Sequence, residues 1–247
     1  MNHQPSTINH QPLFIMSKVY LVPSVLDELA IQTIPSYIID AVKDCQVIFA
    51  ENERTTRRFL KSICKEIVID DYEWFTIHKA EEEQKNSFRQ KIKEGKNIAI
   101  ISEAGCPGIA DPGQLLIELA QQLNVIVKPL VGPSSILLAL MASGMNGQQF
   151  EFVGYLPIDI NERVKAVKEL ELTSQKKHST QIFIETPYRN NQLVETLLKT
   201  CKPTTKICIA AELTGTNEYV KTKTVADWKK EKTDFHKKPV IFLLYAN

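Results

Sequence analysis

The sequence predicts an α/β protein of two domains, the first with a mainly parallel sheet and the second with a mixed sheet. Short runs rich in β-branched residues alternate with helical patterns in the first half. Two prolines and a glycine in residues 128–133 then separate a strand from a new helix. In the second half several strand candidates follow one another without a full crossover helix, which favours antiparallel pairs.

The first half contains five predicted strands and three predicted helices. The strands are expected at residues 18–22, 46–50, 66–69, 97–101 and 125–127. Helices are expected at residues 34–43, at 80–93 with Gly95 as the C-cap, and at 114–123. This alternation of strand and helix is typical of a parallel sheet.

The second half opens with a predicted helix at residues 136–143, which Gly144 ends. Strands are then expected at residues 150–155, 181–185, 207–212, 219–222 and 240–245. Residues 1–17 are rich in Gln, Asn and Pro, and we expect them to form a disordered leader. The domains are therefore predicted over residues 18–129 and 130–247.

Composition restricts the function only loosely. Among 247 residues, 43% are hydrophobic and 24% are charged, which is enough to bury a core without disulfides or metals. Lys and Arg number 30 against 29 Asp and Glu, so no strong net charge favours or excludes nucleic acid. The five cysteines are scattered and form no metal-binding spacing, so we expect no metal site and a reducing cytoplasm. No apolar run approaches the ~20 residues of a membrane helix.

The most informative segment is residues 102–113, which directly follow a predicted buried strand. Three glycines and two prolines fix an irregular backbone there. A loop of this kind at the carboxyl end of a strand lets main-chain groups approach a ligand, where open α/β sheets bind cofactors. The alternative is a structural turn in which Asp111 caps the next helix and Pro112 takes its first position. We favour the ligand loop because a turn needs only two to five residues.

Three further segments place polar groups where predicted strands end. Ser134 and Ser135 open the helix at 136–143, either as caps or as donors to a ligand. Glu185 follows one strand and precedes Thr186 and Pro187, which are expected to cap and begin the next helix. Glu212 follows another strand, where it is either functional or a satisfied surface acid. Glu185 can also form a structural ion pair with Arg189.

Residues 51–58 carry a cluster of arginines as the chain leaves the second predicted strand. Guanidinium groups bind phosphates in a bidentate manner, so Arg54 and Arg57 are candidate substrate contacts, together with Arg189. The alternative is a charged helix face in solvent. The spacing alone does not separate these two interpretations.

Taken together, these segments resemble the tetrapyrrole methylase superfamily, and within it the branch that methylates small-subunit ribosomal RNA. Residues 102–113 match its S-D-A-G-T-P-x-I-S-D-P-G pattern, and residues 132–144 match G-P-S-A with a final S-G. Residues 154–157 and 185–189 match G-F-L-P and E-S-P-H-R. Residues 51–56 and 211–214 are similar to E-D-T-R-T-T and R-E-L-T. The resemblance extends from about residue 18 to residue 245.

The resemblance implies a homodimer in which S-adenosylmethionine lies in a cleft between two α/β domains and is held largely by main-chain groups. It also implies a ribose 2′-hydroxyl of small-subunit ribosomal RNA as the methyl acceptor. Carried over by position, the cofactor contacts are Ser102, Glu103, Gly105, Cys106, Ser134, Ser135, Ile136, Ile184, Leu213 and Pro239. A ribose hydroxyl must lose a proton, and Glu185 and Glu212 are candidates to accept it or to orient the acceptor.

The chain departs from the family pattern in its first loop. That loop normally reads P-T-P-I-G-N-L, whereas residues 23–29 read P-S-V-L-D-E-L without the glycine. Glu103 replaces the usual Asp and Cys106 the usual Thr. The chain also ends at the last predicted strand, without the extra C-terminal segment of the ribosomal enzymes. Two alternatives therefore remain, a methyltransferase for a small molecule or protein and a catalytically silent cofactor-binding protein.

Overall fold

A five-stranded parallel sheet forms the first half of the protein. The structure is a computed structural model that describes residues 17–77 and 81–247. The strands of the first sheet are β1 (Lys18–Val22), β2 (Val47–Ala50), β3 (Glu73–Thr76), β4 (Ile98–Ile101) and β5 (Ile126–Pro129). They lie in the order β3-β2-β4-β1-β5, with every pair parallel. The predicted parallel sheet is confirmed, and the leader predicted at residues 1–17 lies outside the described residues apart from Ser17.

Helices cover both faces of this sheet. They are α1 (Ile38–Lys43), α2 (Glu53–Ile63), α3 (Glu81–Lys93) and α4 (Gln114–Gln122). The central strands β2 and β4 consist of apolar residues that are buried throughout, as strands covered on both faces must be. The predicted end of α3 at Gly95 is confirmed by its φ of 74° and by the bond from its N–H to Ile92 O. The predicted start of α3, Ala80, lies outside the described residues.

The second half forms a mixed sheet of strands β6 (Phe150–Tyr155), β7 (Thr180–Ile184), β8 (Lys206–Ala211), β9 (Tyr219–Thr224) and β10 (Val240–Tyr245). Their order is β6-β7-β10-β8-β9. Only the β6–β7 pair is parallel, so the predicted mixed sheet is confirmed. The accompanying helices are α5 (Ser135–Ser143), α6 (Ile160–Lys177), α7 (Asn190–Thr200) and α8 (Val225–Trp228).

Helix α5 follows β5 in sequence but belongs to the core of the second sheet. Its buried residues Ile136, Ala139 and Leu140 pack with Ile182 of β7 and Leu243 of β10. The predicted N-cap of this helix is confirmed, since Ser134 Oγ accepts a hydrogen bond from Leu137 N. The connection between the sheets is short, because β5 ends at Pro129 and α5 begins at Ser135. The predicted domain boundary at residues 129 and 130 falls in this connection and stays a prediction.

The strand predicted at residues 66–69 is wrong. A short 3-10 helix occupies Ile69–Asp71, and the strand β3 begins only at Glu73. β3 is an edge strand with exposed residues at both ends, so its apolar pattern is weak. Ile67 is buried in the core from an irregular segment, which explains why an apolar run there resembled a strand.

The predicted starts of two helices are also wrong. Asp111 does not cap α4, which begins at Gln114 after the left-handed Gly113. Thr186 and Pro187 do not begin α7, which starts three residues later at Asn190. In both segments the chain first makes an additional turn, and that turn carries residues that the candidate site uses.

The first turn of α4 is capped from a distant part of the chain. Glu81 Oε1 accepts hydrogen bonds from Leu115 N and Leu116 N at 2.7 and 3.2 Å, where the helix dipole favours negative charge. We expect Glu81→Ala to lower the free energy of unfolding by about 1 kcal/mol. Chemical denaturation measures this loss. The control is Glu83→Ala in the exposed part of the same helix, and an equal loss in both variants would contradict the cap.

Within the described residues, no helix combines the length and the apolar character that crossing a membrane requires.

Candidate functional site

The loop after β4 is fastened to the loop after β1 through the main chain. Ser24 N donates to Gly105 O at 2.8 Å, and Gly105 N donates to Ser24 O at 3.1 Å. Ser24 Oγ also donates to Ser102 O at 2.7 Å. Gly105 has a φ of 73°, a conformation that favours glycine. The glycine-rich loop is therefore held in one shape at the carboxyl ends of two neighbouring parallel strands.

Two adjoining cavities lie where the strand ends of the two sheets meet. The first, of about 170 Å³, is the loop cavity, and the second, of about 260 Å³, is the sheet cavity. Residues from both halves of the chain form their common wall, namely Leu26, Ala104, Ser135, Tyr155, Ile184 and Ile241. The arrangement forms one elongated site between the two sheets.

Most of the predicted cofactor contacts line this site. The loop cavity includes Gly105, Cys106, Ser134, Ser135 and Ile136, and the sheet cavity includes Leu213 and Pro239. Ile184 lines both.

Two of the predicted cofactor contacts lie elsewhere. Ser102 is buried beneath the loop, and its hydroxyl is 3.3 Å from the carbonyl oxygens of Ala104 and Gly105. Glu103 lines a third cavity of about 230 Å³, which we call the helix cavity because residues of α2 form one wall. Ser102 therefore shapes the loop from below, whereas Glu103 faces a different space.

Glu185 is a buried carboxylate in the sheet cavity. Its Oε1 accepts bonds from Arg189 Nε at 3.0 Å, Arg189 Nη2 at 2.5 Å and Thr186 N at 2.6 Å. The predicted ion pair with Arg189 is confirmed. Its Oε2 is buried and has no hydrogen-bond partner among the described residues. A buried carboxylate oxygen is costly without a donor, so this atom is suited to a donor from a bound molecule.

Glu212 is also paired with a cation. Its Oε2 accepts a bond from Lys238 Nζ at 2.5 Å. The residue has a φ of 51°, which turns the chain so that the next residue, Leu213, lines the sheet cavity. Glu212 itself is in the lining of neither cavity. Its position at the end of β8 serves the shape of the site.

The arginines of α2 have different surroundings. Arg57 pairs with Glu53 at 2.7 Å and with Asp70 at 3.4 Å, and its guanidinium lies 4.7 Å from the Trp74 ring centre. These contacts attach α2 to the segment that leads into β3. Arg54 lines none of the three cavities.

Sequence analysis missed Arg58, which lines the helix cavity together with Ser24, Thr55 and Glu103. It is 3.6 Å from Glu28 and remains largely exposed. Thr55, Arg58 and Ser62 line this cavity at helical spacing, so the periodicity of α2 could have indicated Arg58.

Asp111 was expected to cap a helix, but it lines the loop cavity. Burial, together with the carboxylates of Glu51 and Glu103, raises the pKa of Asp111 to about 7. Burial and the nearby Asp111 carboxylate raise the pKa of the Cys106 thiol above its usual value. The loop cavity thus contains acidic groups that hold their protons more tightly than usual. In the described ranges, no three His, Cys, Asp or Glu residues are placed to bind a metal ion.

The fold and the site define an α/β protein with a small-molecule-sized cavity between two sheets, formed mainly by loops at strand ends. Residues 38–228 match the family model described as Tetrapyrrole (Corrin/Porphyrin) Methylases. The chain belongs to the tetrapyrrole methylase family and is an S-adenosylmethionine-dependent methyltransferase.

Several relatives share most of the chain. The protein named Ribosomal RNA small subunit methyltransferase I from Vibrio cholerae is 30% identical over 92% of this chain and 77% of its own length. The protein of the same name from Buchnera aphidicola (Schizaphis graminum strain) is 29% identical with the same coverage. The one from Bacillus subtilis is 35% identical over 74% of this chain and 58% of its own length.

A solved structure confirms the fold. Uroporphyrin-III-C-methyltransferase from Thermus thermophilus aligns with a TM-score of 0.55 and covers 93% of this chain and 92% of its own chain. Its sequence is only 16% identical, so the likeness concerns the fold.

Proposed function

We propose that this enzyme transfers the methyl group of S-adenosylmethionine to a ribose 2′-hydroxyl of small-subunit ribosomal RNA. The observation that carries the proposal is the pair of adjoining cavities, which is lined by most of the positions that the resemblance assigns to the cofactor. The names of the relatives from Vibrio cholerae and Bacillus subtilis support the choice of RNA.

The sheet cavity has the chemistry that an adenosine group needs. Its lining is mostly apolar and includes Ile184, Leu213 and Pro239, which suits the faces of an adenine ring. The unpaired Oε2 of Glu185 supplies an acceptor for an amino or hydroxyl donor of the nucleoside. The residues present therefore fit the cofactor.

The loop cavity is suited to the methionine end of the cofactor. Gly105 favours this loop shape through its φ of 73°, whereas a Cβ there would make only ordinary contacts, 3.4 Å from Leu26 Cδ2 and 3.6 Å from Pro133 O. Ser134 and Ser135 stand at the N-terminus of α5, where main-chain N–H groups favour a carboxylate. These groups hold the methionine by shape and by hydrogen bonds.

S-adenosylmethionine would supply an activated methyl group, whose carbon is open to in-line attack by an acceptor oxygen opposite the bond to sulfur. The protein's contribution is alignment, because the reacting atoms must come within about 3–3.5 Å of each other. Glu185, which lines the sheet cavity and is held by Arg189, is suited to orienting a hydroxyl group there. Glu212 lies outside the lining and contributes through the turn that places Leu213 in the sheet cavity. Arg54, Arg57 and Arg189 remain candidate contacts to RNA phosphates.

Calorimetry and a tritiated-methyl assay test the proposal together. Titration with S-adenosylmethionine is expected to release or absorb heat, and small ribosomal subunits lacking the methyl group are expected to become labelled. Labelling of a small molecule or protein in cell extract instead would replace RNA as the acceptor. Binding without any labelled product would indicate a catalytically silent protein, and no binding would reject the cofactor.

The same proposal implies in which cellular compartment the enzyme acts. We place it in the cytoplasm, where its RNA substrate is assembled. The cysteines at positions 45, 64, 106, 201 and 208 are all free, which fits a reducing compartment.

A homodimer is the second part of the proposal. Leu137 and Met141 are 50% and 78% exposed on one face of α5, and Val131 just before this helix is 69% exposed. Exposed apolar side chains at such spacing favour a protein contact. We expect Met141→Glu to shift sedimentation from a dimer towards a monomer. The control is Lys177→Glu at the end of α6, and a wild-type monomer would contradict the proposal.

A further inference from the structure

Asp111 is the acidic side chain of the loop cavity that has no partner. The structure gives its carboxylate neither a hydrogen bond nor an ion pair within residues 17–77 and 81–247. A carboxylate in a partly buried position normally has such a partner. A carboxylate that lies in a cavity without a partner is therefore a candidate to react with or bind a ligand.

The backbone keeps Asp111 in this position. Ala110 has a φ of 64°, which is uncommon for a residue with a Cβ, and Gly113 has a φ of 119°. Gly108 N donates to Pro112 O at 3.3 Å and closes the loop around Asp111. A Cβ on Gly108 would lie only 2.9 Å from Ile117 Cδ1 of α4. The loop is thus a closed turn that packs next to α4, and Asp111 lies within it.

Within residues 17–77 and 81–247, the charged groups that act on the pKa of Asp111 are acidic. Glu51 approaches from the end of β2, Glu103 from the start of the glycine-rich loop, and the Cys106 thiol from within this loop. Glu51 Oε2 is fixed by accepting a bond from Glu103 N at 2.8 Å. Burial and these two carboxylates bring the pKa of Asp111 to about 7. A general base is most effective when its pKa is close to the working pH.

The two carboxylates predicted from the sequence, Glu185 and Glu212, are less suited to accept a proton. Glu185 is bound by Arg189, and Glu212 by Lys238. A carboxylate that takes up a proton in such a pair leaves its cation without compensation. Both are therefore better suited to orienting groups than to removing a proton.

We infer that Asp111 is the catalytic base that accepts the proton of the acceptor hydroxyl, an inference that rests on the proposed methyl transfer. The acceptor oxygen forms a bond to the methyl carbon, and the carbon–sulfur bond breaks with its electron pair remaining on sulfur. The hydroxyl proton passes to the carboxylate of Asp111. The protonated Asp111 then returns its proton to solvent after the product leaves.

The test uses Asp111→Asn, which keeps the size of the side chain but cannot accept the proton. Single-turnover methyl transfer to small ribosomal subunits is measured from pH 5.5 to pH 9, and cofactor binding is measured by calorimetry. We expect a rate about 10²–10⁴-fold lower than that of the wild type, with cofactor affinity within about threefold. The wild-type rate should rise with pH and level off near pH 7, and the variant should lose this break.

The variant Glu103→Gln provides a second test. The shift expected in this variant would not occur if Asp111 had only a structural role. Removing one of the two neighbouring negative charges lowers the pKa of Asp111, so the break in the pH–rate profile should move to lower pH. Asp111→Asn should also unfold at a denaturant concentration no lower than the wild type at pH 8, because the amide carries no charge to be buried.

The outcomes separate the two proposals. If wild type and Asp111→Asn transfer the methyl group at equal rates, Asp111 is not the base. A large loss of cofactor affinity in Asp111→Asn would also overturn this inference, because Asp111 would then serve binding. If the wild-type protein binds the cofactor but labels no RNA, the proposed acceptor fails instead.

Discussion

We expect Gly132→Ala to disrupt the candidate site more than any other substitution that adds a single methyl group. A Cβ at this position would lie 2.2 Å from Pro23 Cβ and 2.3 Å from Pro23 Cγ, and a proline ring cannot rotate away. Either the end of β1 or the segment before α5 must move, which displaces Ser134 and Ser135 from the loop cavity. We expect a loss of about 1–3 kcal/mol in the free energy of unfolding. Cofactor affinity should fall at least about tenfold.

Chemical denaturation and calorimetry with S-adenosylmethionine measure the two effects. Gly147→Ala is the matched control, because a Cβ there meets no atom within 4 Å. That variant should retain cofactor affinity and should not lose stability, because the φ of Gly147 lies outside the range that strains alanine. If Gly132→Ala bound the cofactor like the wild type, the contact between Pro23 and Gly132 would not determine the shape of the loop cavity.

The second large effect is expected from Arg189→Met. The Glu185 side chain is completely buried, whereas Arg189 is 25% exposed, so the substitution leaves a buried carboxylate without its cation. Removing one partner of a buried pair costs about 3–5 kcal/mol. We expect a loss of this order in the free energy of unfolding, measured by urea denaturation at neutral pH.

Two variants test whether the lost charge is the cause. Glu185→Gln in the Arg189→Met background removes the unpaired charge and should recover much of the loss. Lys199→Met is the control in α7, the helix that follows Arg189, where Lys199 and its partner Glu195 are 77% and 69% exposed. Such a surface pair contributes at most about 1 kcal/mol. Failure of Glu185→Gln to recover stability would mean that Arg189 acts mainly through packing.

The sequence predicted the elements whose pattern is determined locally. The buried strands β2 and β4 are continuous apolar runs, and β6 and β10 were placed with their observed bounds. The edge strand β3 was missed because half of its residues face solvent and Ile67 is buried outside any strand. A strand in such a position depends on pairing with β2 more than on its own composition.

The part of the site that could be predicted from the sequence is the part formed by main-chain groups. Glycines with positive φ, such as Gly105 and Gly113, leave a signal in the sequence because few other residues adopt that conformation. The role of Asp111 was not predictable from its spacing. Glu81, which lies 34 residues from Leu115, supplies the cap that Asp111 was expected to provide. Only the structure shows that the carboxylate of Asp111 does not cap the helix and lies in the loop cavity instead.

The two main-chain bonds between Ser24 and Gly105 explain how the unusual first loop is compatible with an intact pocket. Peptide groups make this junction, so the junction itself does not depend on side chains of residues 25–29, although Leu26 forms part of the cavity wall and Val25 packs against the core. The loop can therefore change in sequence over evolution while the pocket floor keeps its shape. Sequence changes in this loop would therefore affect which substrate enters the cleft before they affected which cofactor binds in it.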